Sequence, residues 1–430
     1  MFGALRCGGS PVLGTLFLAW VGQAVPDGAL TLDQALALTE SQALPIRLAD
    51  AEVRRARARV QAARAAGRFR ADAGASASYT RANFGSQFPA VEGIATNADA
   101  AFNLPIDLSG GIRERIASAT AALRVAEADF RAARNDAALQ TRTAYLGALR
   151  SDALLKVAEA SARLAEEQVE AARIQLRVEE IAPVDVSRLE SLLAQRRAEV
   201  ASARAASRNA RFALARLLGV RSDALSTLAD VAEPDPISDE PPALLSRALV
   251  GRPEIAAQSA AVEAAAALAR AERAALRPSL NLQGSYQRNL SGPTGLGAQE
   301  QTVATLSIRF PLTDGGAARA AAQQAEEDRR QALARLDQLQ ADISAEVSTA
   351  LSDLQSARER DVEARQQLDA ARVVARGARI RRSGGLGTVL DVVDAEAQLR
   401  QAEQNAAVTR YDALIARAAL DRALGADLRG

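Results

Sequence analysis

Asp391 and Asp394 stand i and i+3, a spacing that sets both carboxylates on one face of a helix. Thr388-x-x-Asp391 is itself a helix-start pattern, in which an acid in the first turn is favoured by the helix dipole at ~0.3–1 kcal/mol. Just before it, Ser383-Gly384-Gly385-Leu386-Gly387-Thr388 has the look of a phosphate loop. No lysine follows, and a helix rather than a strand precedes it, so nucleotide binding is not expected. Arg54-Arg55-Ala56-Arg57-Ala58-Arg59 has the cationic density of a nucleic-acid contact. Acids balance it along the chain and stacking aromatics are missing nearby, so it reads as a solvated helix face with no nucleic-acid partner.

Catalysis has little else to draw on. The 430 residues contain no histidine and one cysteine, Cys7, which removes histidine acid/base chemistry, Ser/His/Asp triads, and zinc or haem sites with their usual ligands. No enzyme activity, cofactor or metal is expected. The formal charge of +1 names no partner. Apolar residues make up 48% of the chain, mostly alanine, and aromatics 3%, a composition that suits closely packed coiled coils better than a globular core.

At the N-terminus Arg6, the apolar run 12–21 (VLGTLFLAWV) and Gly22-Gln23-Ala24 read as a secretory signal peptide, 1–24, cleaved after Ala24. Arg6 sits where a lipidation signal at Cys7 needs a small residue. The rest of the chain has no apolar stretch of the ~20 residues a spanning helix needs, so an exported chain that crosses a membrane must do so with strands.

The elements that would carry these residues occur twice. Pro105 and Pro311, Asp185 and Asp391, and Gly219 and Gly425 recur at one constant separation. The repeats are 25–220 and 243–425, with a proline-rich linker at 221–242 and a tail at 426–430. Each repeat reads as short helix, two strands, very long helix, turn, shorter helix. Thr31-Leu32-Asp33-Gln34 has the spacing of a capping box and opens the first helix. Strands are expected at about 72–84, 96–108, 279–290 and 301–313. Their period-two apolar faces are Ala73, Ala75, Ala77 and Tyr79, then Ala98, Ala100, Phe102, Leu104 and Ile106, and in the second repeat Ala304, Leu306, Ile308 and Phe310. The helical hairpins are expected at about 112–218 and 317–424. A heptad seam runs Leu333, Leu336, Gln340, Ile343, Val347, Ala350, Leu354, Ala357, Asp361, Ala364, Leu368, Ala371, and the first repeat offers Ile112, Ile116, Ala119, Leu123, Ala126, Phe130, Ala133 and Ala137. A helix of that length runs ~100 Å at 1.5 Å per residue. The return helix covers half of it, and short helices near 47–70 and 254–276 have the missing length. The fold class is therefore an α+β membrane protein with a duplicated helix, β-hairpin and long helical hairpin. Four amphipathic strands leave open edges, which cost several kcal/mol per unsatisfied group in lipid, so chains must associate to close a barrel; eight strands from two chains and twelve from three both close.

In the order of these elements, in Asn103-Leu104-Pro105 and Arg309-Phe310-Pro311-Leu312 at the strand-to-helix junctions, and in the tip 385–396 (GLGTVLDVVDAE), the chain resembles the TolC family of outer membrane efflux channels. The resemblance implies a homotrimer in the outer membrane of a Gram-negative bacterium. Twelve strands would form a barrel in outer membrane lipid, continuous with a periplasmic helical barrel. It also implies a periplasmic adaptor and an inner membrane transporter as partners, and passive conduction of small molecules. Asp391 and Asp394 match the aspartates that ring the family's closed periplasmic entrance; three copies would stack two carboxylate rings that attract cations. Ile181, Ala182, Asp185, Leu386, Gly387 and Thr388 become the expected adaptor contacts. Arg382 and Gly387 stand where the best-known member carries latching tyrosine and arginine residues, so a substitute latch is expected from Arg381 or Arg382 to Glu179, Glu180 or Asp185. Two alternatives are a duct for protein secretion of type I and a soluble periplasmic coiled-coil scaffold or adaptor.

Overall fold

The computed structural model describes residues 29–82, 91–221, 225, 227–234, 240–291 and 300–426. The expected signal peptide, most of both hairpin loops, and 427–430 lie outside the described residues. The elements follow in the order α1 (Leu32–Gln42), α2 (Leu44–Ala66), β1 (Arg70–Ala82), β2 (Val91–Ile106), α3 (Gly111–Arg177), α4 (Pro183–Leu218), α5 (Pro241–Gly251), α6 (Pro253–Ala274), β3 (Ser279–Ser291), β4 (Glu300–Arg309), α7 (Ala317–Ser383) and α8 (Val389–Ala423). Both long helices have 67 residues, and the return helices have 36 and 35.

Local chemistry sets the boundaries. Thr31 and Gln34 form the expected capping box, with bonds of 3.0 and 3.3 Å. Two helices precede each strand pair rather than one, because Pro45 and Pro253 lack the N–H that would continue α1 or α5, and each proline instead sits in the first turn of the next helix. The proline-rich segment likewise ends by starting a helix, α5, at Pro241. Strand β2 begins at Val91, before the expected 96, and β4 ends at Arg309, short of the expected 313. Gly219 and Gly425 close α4 and α8 in the left-handed region, at φ +67° and +69°.

The sheet is antiparallel in the order β1-β2-β3-β4, with β1 and β4 at its edges. Its register aligns the apolar side chains across all four strands. Tyr79 lies opposite Ile94; Phe102 faces Gly284, Leu104 faces Leu282, and Leu282 in turn faces Leu306. The other face carries Asp72, Asn103, Gln283, Ser285 and Thr305. Tyr79, Ile94 and Leu306 are more than 60% exposed, so nothing among the described residues covers these apolar side chains. No helix among the described residues is long and apolar enough to cross a membrane.

Most of the second-repeat seam packs as its spacing predicts: Ile343, Val347, Leu354, Ala357, Asp361, Ala364 and Ala371 are buried. Asp361 is tolerated there because its carboxylate accepts from Thr409 Oγ1 at 3.3 Å and pairs with Arg365 at 2.7 Å. Nearer the sheet the seam rotates, so that Ala332 is buried and Leu333 exposed. In the first repeat Ala137 of the expected seam is buried, but nearer the sheet the buried residues are Ala121 and Ala128 rather than Ala119 and Ala126, which are half-buried. That stretch of α3 packs against both α2 and α6, and the line between two contacts is more enclosed than either contact alone.

Midway along the helices, Tyr145 is fully buried among Leu30, Leu214, Leu218 and Leu225. Its hydroxyl donates to the carbonyl oxygens of Leu30 and Ala229, each 2.7 Å away, tying the parallel Leu30–Leu228 bridge to α3. Burial pushes this phenol up to about 12. A raised folded-state value in a group that ionises to an anion gives stability that is complete below about pH 10 and is lost as pH climbs from 10 to 12. Tyr145→Phe is expected to cost about 1–3 kcal/mol at neutral pH by orphaning buried acceptors, and to flatten that alkaline loss. Thermal denaturation of both proteins across pH 8–12 checks it.

Candidate functional site at the helical tips

The α3–α4 and α7–α8 hairpins end side by side. Ala172, Val186, Leu189 and Leu193 are buried at the first tip, and Ile181 packs on them together with Val389 and Val393 from the start of α8. The second tip is fixed by a capping box: Asp391 N–H donates to Thr388 Oγ1 at 3.1 Å, and Thr388 N–H donates to Asp391 Oδ2 at 2.8 Å. The Thr388 N–H and then its hydroxyl hold the Asp391 carboxyl below the usual carboxylate range, with Arg381 adding an attractive field. Asp394 is exposed on the same face and makes no hydrogen bond or ion pair among the described residues.

At the first tip Ala182 is the N-cap of α4 and Pro183 its first residue. Asp185 donates its N–H to Ala182 O at 3.0 Å and sits 3.8 Å from Arg188. The chain leaves α3 through Glu179, at φ +59°, the position where the second tip has Gly385 at φ +75°. Both turns close the same way, Glu180 N–H to Gln175 O and Leu386 N–H to Arg381 O, each 2.9 Å. A side chain in the left-handed region costs ~1 kcal/mol that glycine avoids. Glu179→Gly is therefore expected to raise stability by about 1 kcal/mol, readable as a higher melting temperature of the detergent-solubilised protein.

The expected latch is not formed within the chain. Arg382 Nη2 donates to Gln175 Oε1 at 3.3 Å, and neither Arg381 nor Arg382 pairs with Glu179, Glu180 or Asp185 among the described residues. Glu180 and Asp185 line the same groove as Arg382, but Gln175, one turn back on α3, takes its guanidinium.

Between the tips runs a groove of about 690 Å³ walled by α4 and α8. Five of the six expected contacts, Ile181, Ala182, Asp185, Gly387 and Thr388, line it; Leu386 stands clear at the crest, 84% exposed. A Cβ at Gly387 would stand 3.3 Å from Arg382 N, a tight contact that the neighbouring backbone would have to yield to by a few tenths of an ångström. The apolar floor, Leu189, Leu192, Val389, Leu390 and Val393, was not singled out from the sequence, although Val389 and Val393 already stand i and i+4. At ~100° per residue Asp391 and Asp394 point on average roughly 120° away from the mean direction of Val389, Leu390 and Val393, with Leu390 lying between the two faces of α8. No group of His, Cys, Asp or Glu among the described residues could hold a metal ion.

Residues 35–220 and 244–426 match the family described as "Outer membrane efflux protein". The chain belongs to that family. The two matched segments are the two repeats. Outer membrane efflux protein BepC of Brucella suis is 27% identical over 314 residues, 73% of this chain and 68% of its own length. The pyoverdine export outer membrane protein OpmQ of Pseudomonas putida is 27% identical over 333 residues, 76% and 70%. The solved outer-membrane channel OprN superposes with a TM-score of 0.79 at 26% identity, covering 93% of this chain and 91% of its own.

As a member of the outer membrane efflux protein family, the chain is an efflux duct of the outer membrane and not an enzyme. The soluble scaffold is thereby set aside. Efflux channels of this family work with adaptor and inner membrane pump partners.

Proposed function

We propose that three copies of this chain form a passive exit duct, closed at the periplasmic tips by rings of Asp391 and Asp394 and opened when a helical hairpin of an adaptor enters the groove between α4 and α8. The observation that carries this reading is that α8 bears the apolar groove residues and the two carboxylates on different faces. A carboxylate face directed at the threefold axis leaves the apolar groove on the outside, where a partner docks without meeting cargo. Displacing α8 from that side moves the carboxylates off the axis. The sheet supports closure between copies, because its apolar face suits lipid and its edge strands β1 and β4 demand neighbours. Small molecules are the proposed cargo, received from an inner membrane pump.

Light scattering with detergent correction on protein extracted from the outer membrane should give the mass of three mature chains. A monomer or dimer refutes the twelve-strand closure. In planar bilayers, Asp391→Asn with Asp394→Asn is expected to raise closed-state conductance several-fold and to reduce preference for cations. Unchanged conductance and selectivity remove the pair from the gate.

A further inference from the structure

Each of the four places where a helix meets a strand carries a large apolar residue in the open: Phe69 between α2 and β1, Leu108 between β2 and α3, Leu276 between α6 and β3, and Leu312 between β4 and α7. Leu312 is 93% exposed. These residues continue the apolar face of the sheet, as the stacking of Phe69 on Phe102 shows for the first of them. On β4 that face turns charged at Glu300, which pairs with Arg288, so its apolar positions begin at Thr302. From Thr302 to Ile308 they rise ~15 Å at the usual strand tilt, against ~25 Å for the lipid band of an outer membrane barrel. Phe310 and Leu312, both exposed below the strand, supply the missing ~10 Å.

The arginines beside these residues have no carboxylate partner. Arg68 precedes Phe69, and its side chain makes no hydrogen bond or ion pair among the described residues. Arg277 follows Leu276 and donates from Nη1 to the carbonyl oxygen of Ser109, next to Leu108, at 3.3 Å. The acids at this level are engaged elsewhere. Asp107 accepts from the N–H groups of Ile112 and Arg113 at 3.1 and 2.9 Å, and Asp314 from those of Gly316 and Ala318 at 2.9 and 2.6 Å. Glu114 pairs with Arg270 at 2.8 Å and Glu272 with Arg115 at 3.5 Å, while Asp72 stands on the other face of the sheet. At the far end of the sheet the arginines on the apolar face are matched instead, Arg81 with Glu92 at 3.5 Å and Arg288 with Glu300 at 3.4 Å.

We infer that the strand–helix junctions bind anionic phospholipid, with Phe69, Leu108, Leu276 and Leu312 at the acyl boundary and Arg68 and Arg277 on the headgroup phosphates. The inference rests on the reading that the sheet lies in the outer membrane, and adds which lipid this end of it selects. An arginine can lay its stem along apolar surface and keep its guanidinium at the headgroup level, where the planar fork suits a phosphate. Unpaired cations at that level draw anionic headgroups from a mixed leaflet, whereas the matched pairs at the far end offer no net charge to do so. The occupant is phospholipid rather than lipid A because the junctions lie where the long helices leave the sheet, the periplasmic side of the proposed duct, and lipid A belongs to the outer leaflet.

The test places one tryptophan at Leu312, Leu306 or Tyr79 in a Trp20→Phe background, Trp20 being the chain's single tryptophan. The full chain is reconstituted in vesicles of phosphatidylethanolamine and phosphatidylglycerol, with one lipid or the other brominated so that it quenches a tryptophan it touches. Leu306→Trp, on the apolar face in mid-strand, should be quenched by both lipids alike. Leu312→Trp should favour phosphatidylglycerol by about threefold or more, a preference lost at about 1 M salt and in Arg68→Gln with Arg277→Gln, while Tyr79→Trp shows none. Equal quenching of Leu312→Trp by the two lipids, or a preference that survives the salt or the double substitution, overturns the inference and leaves the sheet in lipid. Absence of quenching at Leu306→Trp overturns the membrane reading itself. Where the double variant does not assemble, the salt series decides on its own. Displacement of brominated phosphatidylglycerol from Leu312→Trp by lipid A as readily as by unlabelled phosphatidylglycerol overturns the assignment to phospholipid.

Discussion

Replacing Arg252 with alanine is expected to destabilise the protein by about 3 kcal/mol, the loss that follows when one member of a buried ion network is removed and its partners stay behind. Arg252 is 4% exposed at the join of α5 and α6. Its guanidinium holds Glu254 at 3.1 Å and also bonds Glu346 of α7. Both acids are shared with Arg422 of α8, at 2.9 Å each, and Arg422 reaches on to Asp136 of α3 at 2.9 Å. Arg252 and Arg422 together thus tie the join of α5 and α6 to α7, α8 and α3. Burial, the largest single influence, pushes the Glu254 carboxyl up, but the hydrogen bond from Arg252, the backbone N–H of Glu254 and the charges of Arg252 and Arg422 together outweigh it and leave the carboxyl below its ordinary value. A depressed carboxyl contributes stability above its unfolded value and loses it as pH falls through the folded one, so the native protein should weaken on acidification below about pH 4.5. Arg252→Ala should show the large loss already at pH 7 and a shallower acid limb. Adding Glu254→Gln to Arg252→Met should recover part of the loss, since the stranded charge is then gone. Denaturation midpoints of the three proteins at pH 7 and pH 4 decide it; equal midpoints for native and Arg252→Ala refute the network's role.

Much of this architecture can be read from residue types, and the parts that cannot share a cause. Period two in the strands and the seam from Ile343 to Ala371 were legible because a single partner lies on each side, so burial follows spacing. Ala121 and Ala128 were not, because α3 has two partners there and alanine marks no side as more apolar than another. The tip aspartates were legible through Thr388-x-x-Asp391, a local pattern. The Arg382–Gln175 contact was not, since it joins residues of different repeats, and the long-range complementarity of opposite charges in Glu179 and Glu180 pointed elsewhere.

Gly284→Leu is expected to abolish the assembled form, with at least a tenfold loss of the proposed trimer from the outer membrane, whereas the same change in company with Phe102→Ala should largely restore it. Gly284 of β3 lies directly opposite Phe102 of β2, and the phenyl ring, stacked on Phe69 at 5.6 Å between centroids, covers the glycine. A Cβ at 284 would stand 2.2 Å from the ring, far inside contact distance, with two more ring atoms at 2.6 and 3.0 Å. The ring cannot retreat along the sheet without leaving Phe69, and a leucine adds three carbons beyond the Cβ. Overpacking of this kind costs ~1–3 kcal/mol in a core that can shift, and more between strands held by a ladder on both sides. Here β2 and β3 join the two repeats, so separating them splits the four-stranded unit in half and leaves edges that no neighbouring chain is placed to pair. Phe102→Ala removes the obstacle and loses only the aromatic cover of the glycine, a cross-strand contact of about 0.2–1 kcal/mol. Recovery in the double variant identifies the clash as the cause. Failure of Phe102→Ala to rescue would instead assign the loss to the leucine's own fit on the lipid face.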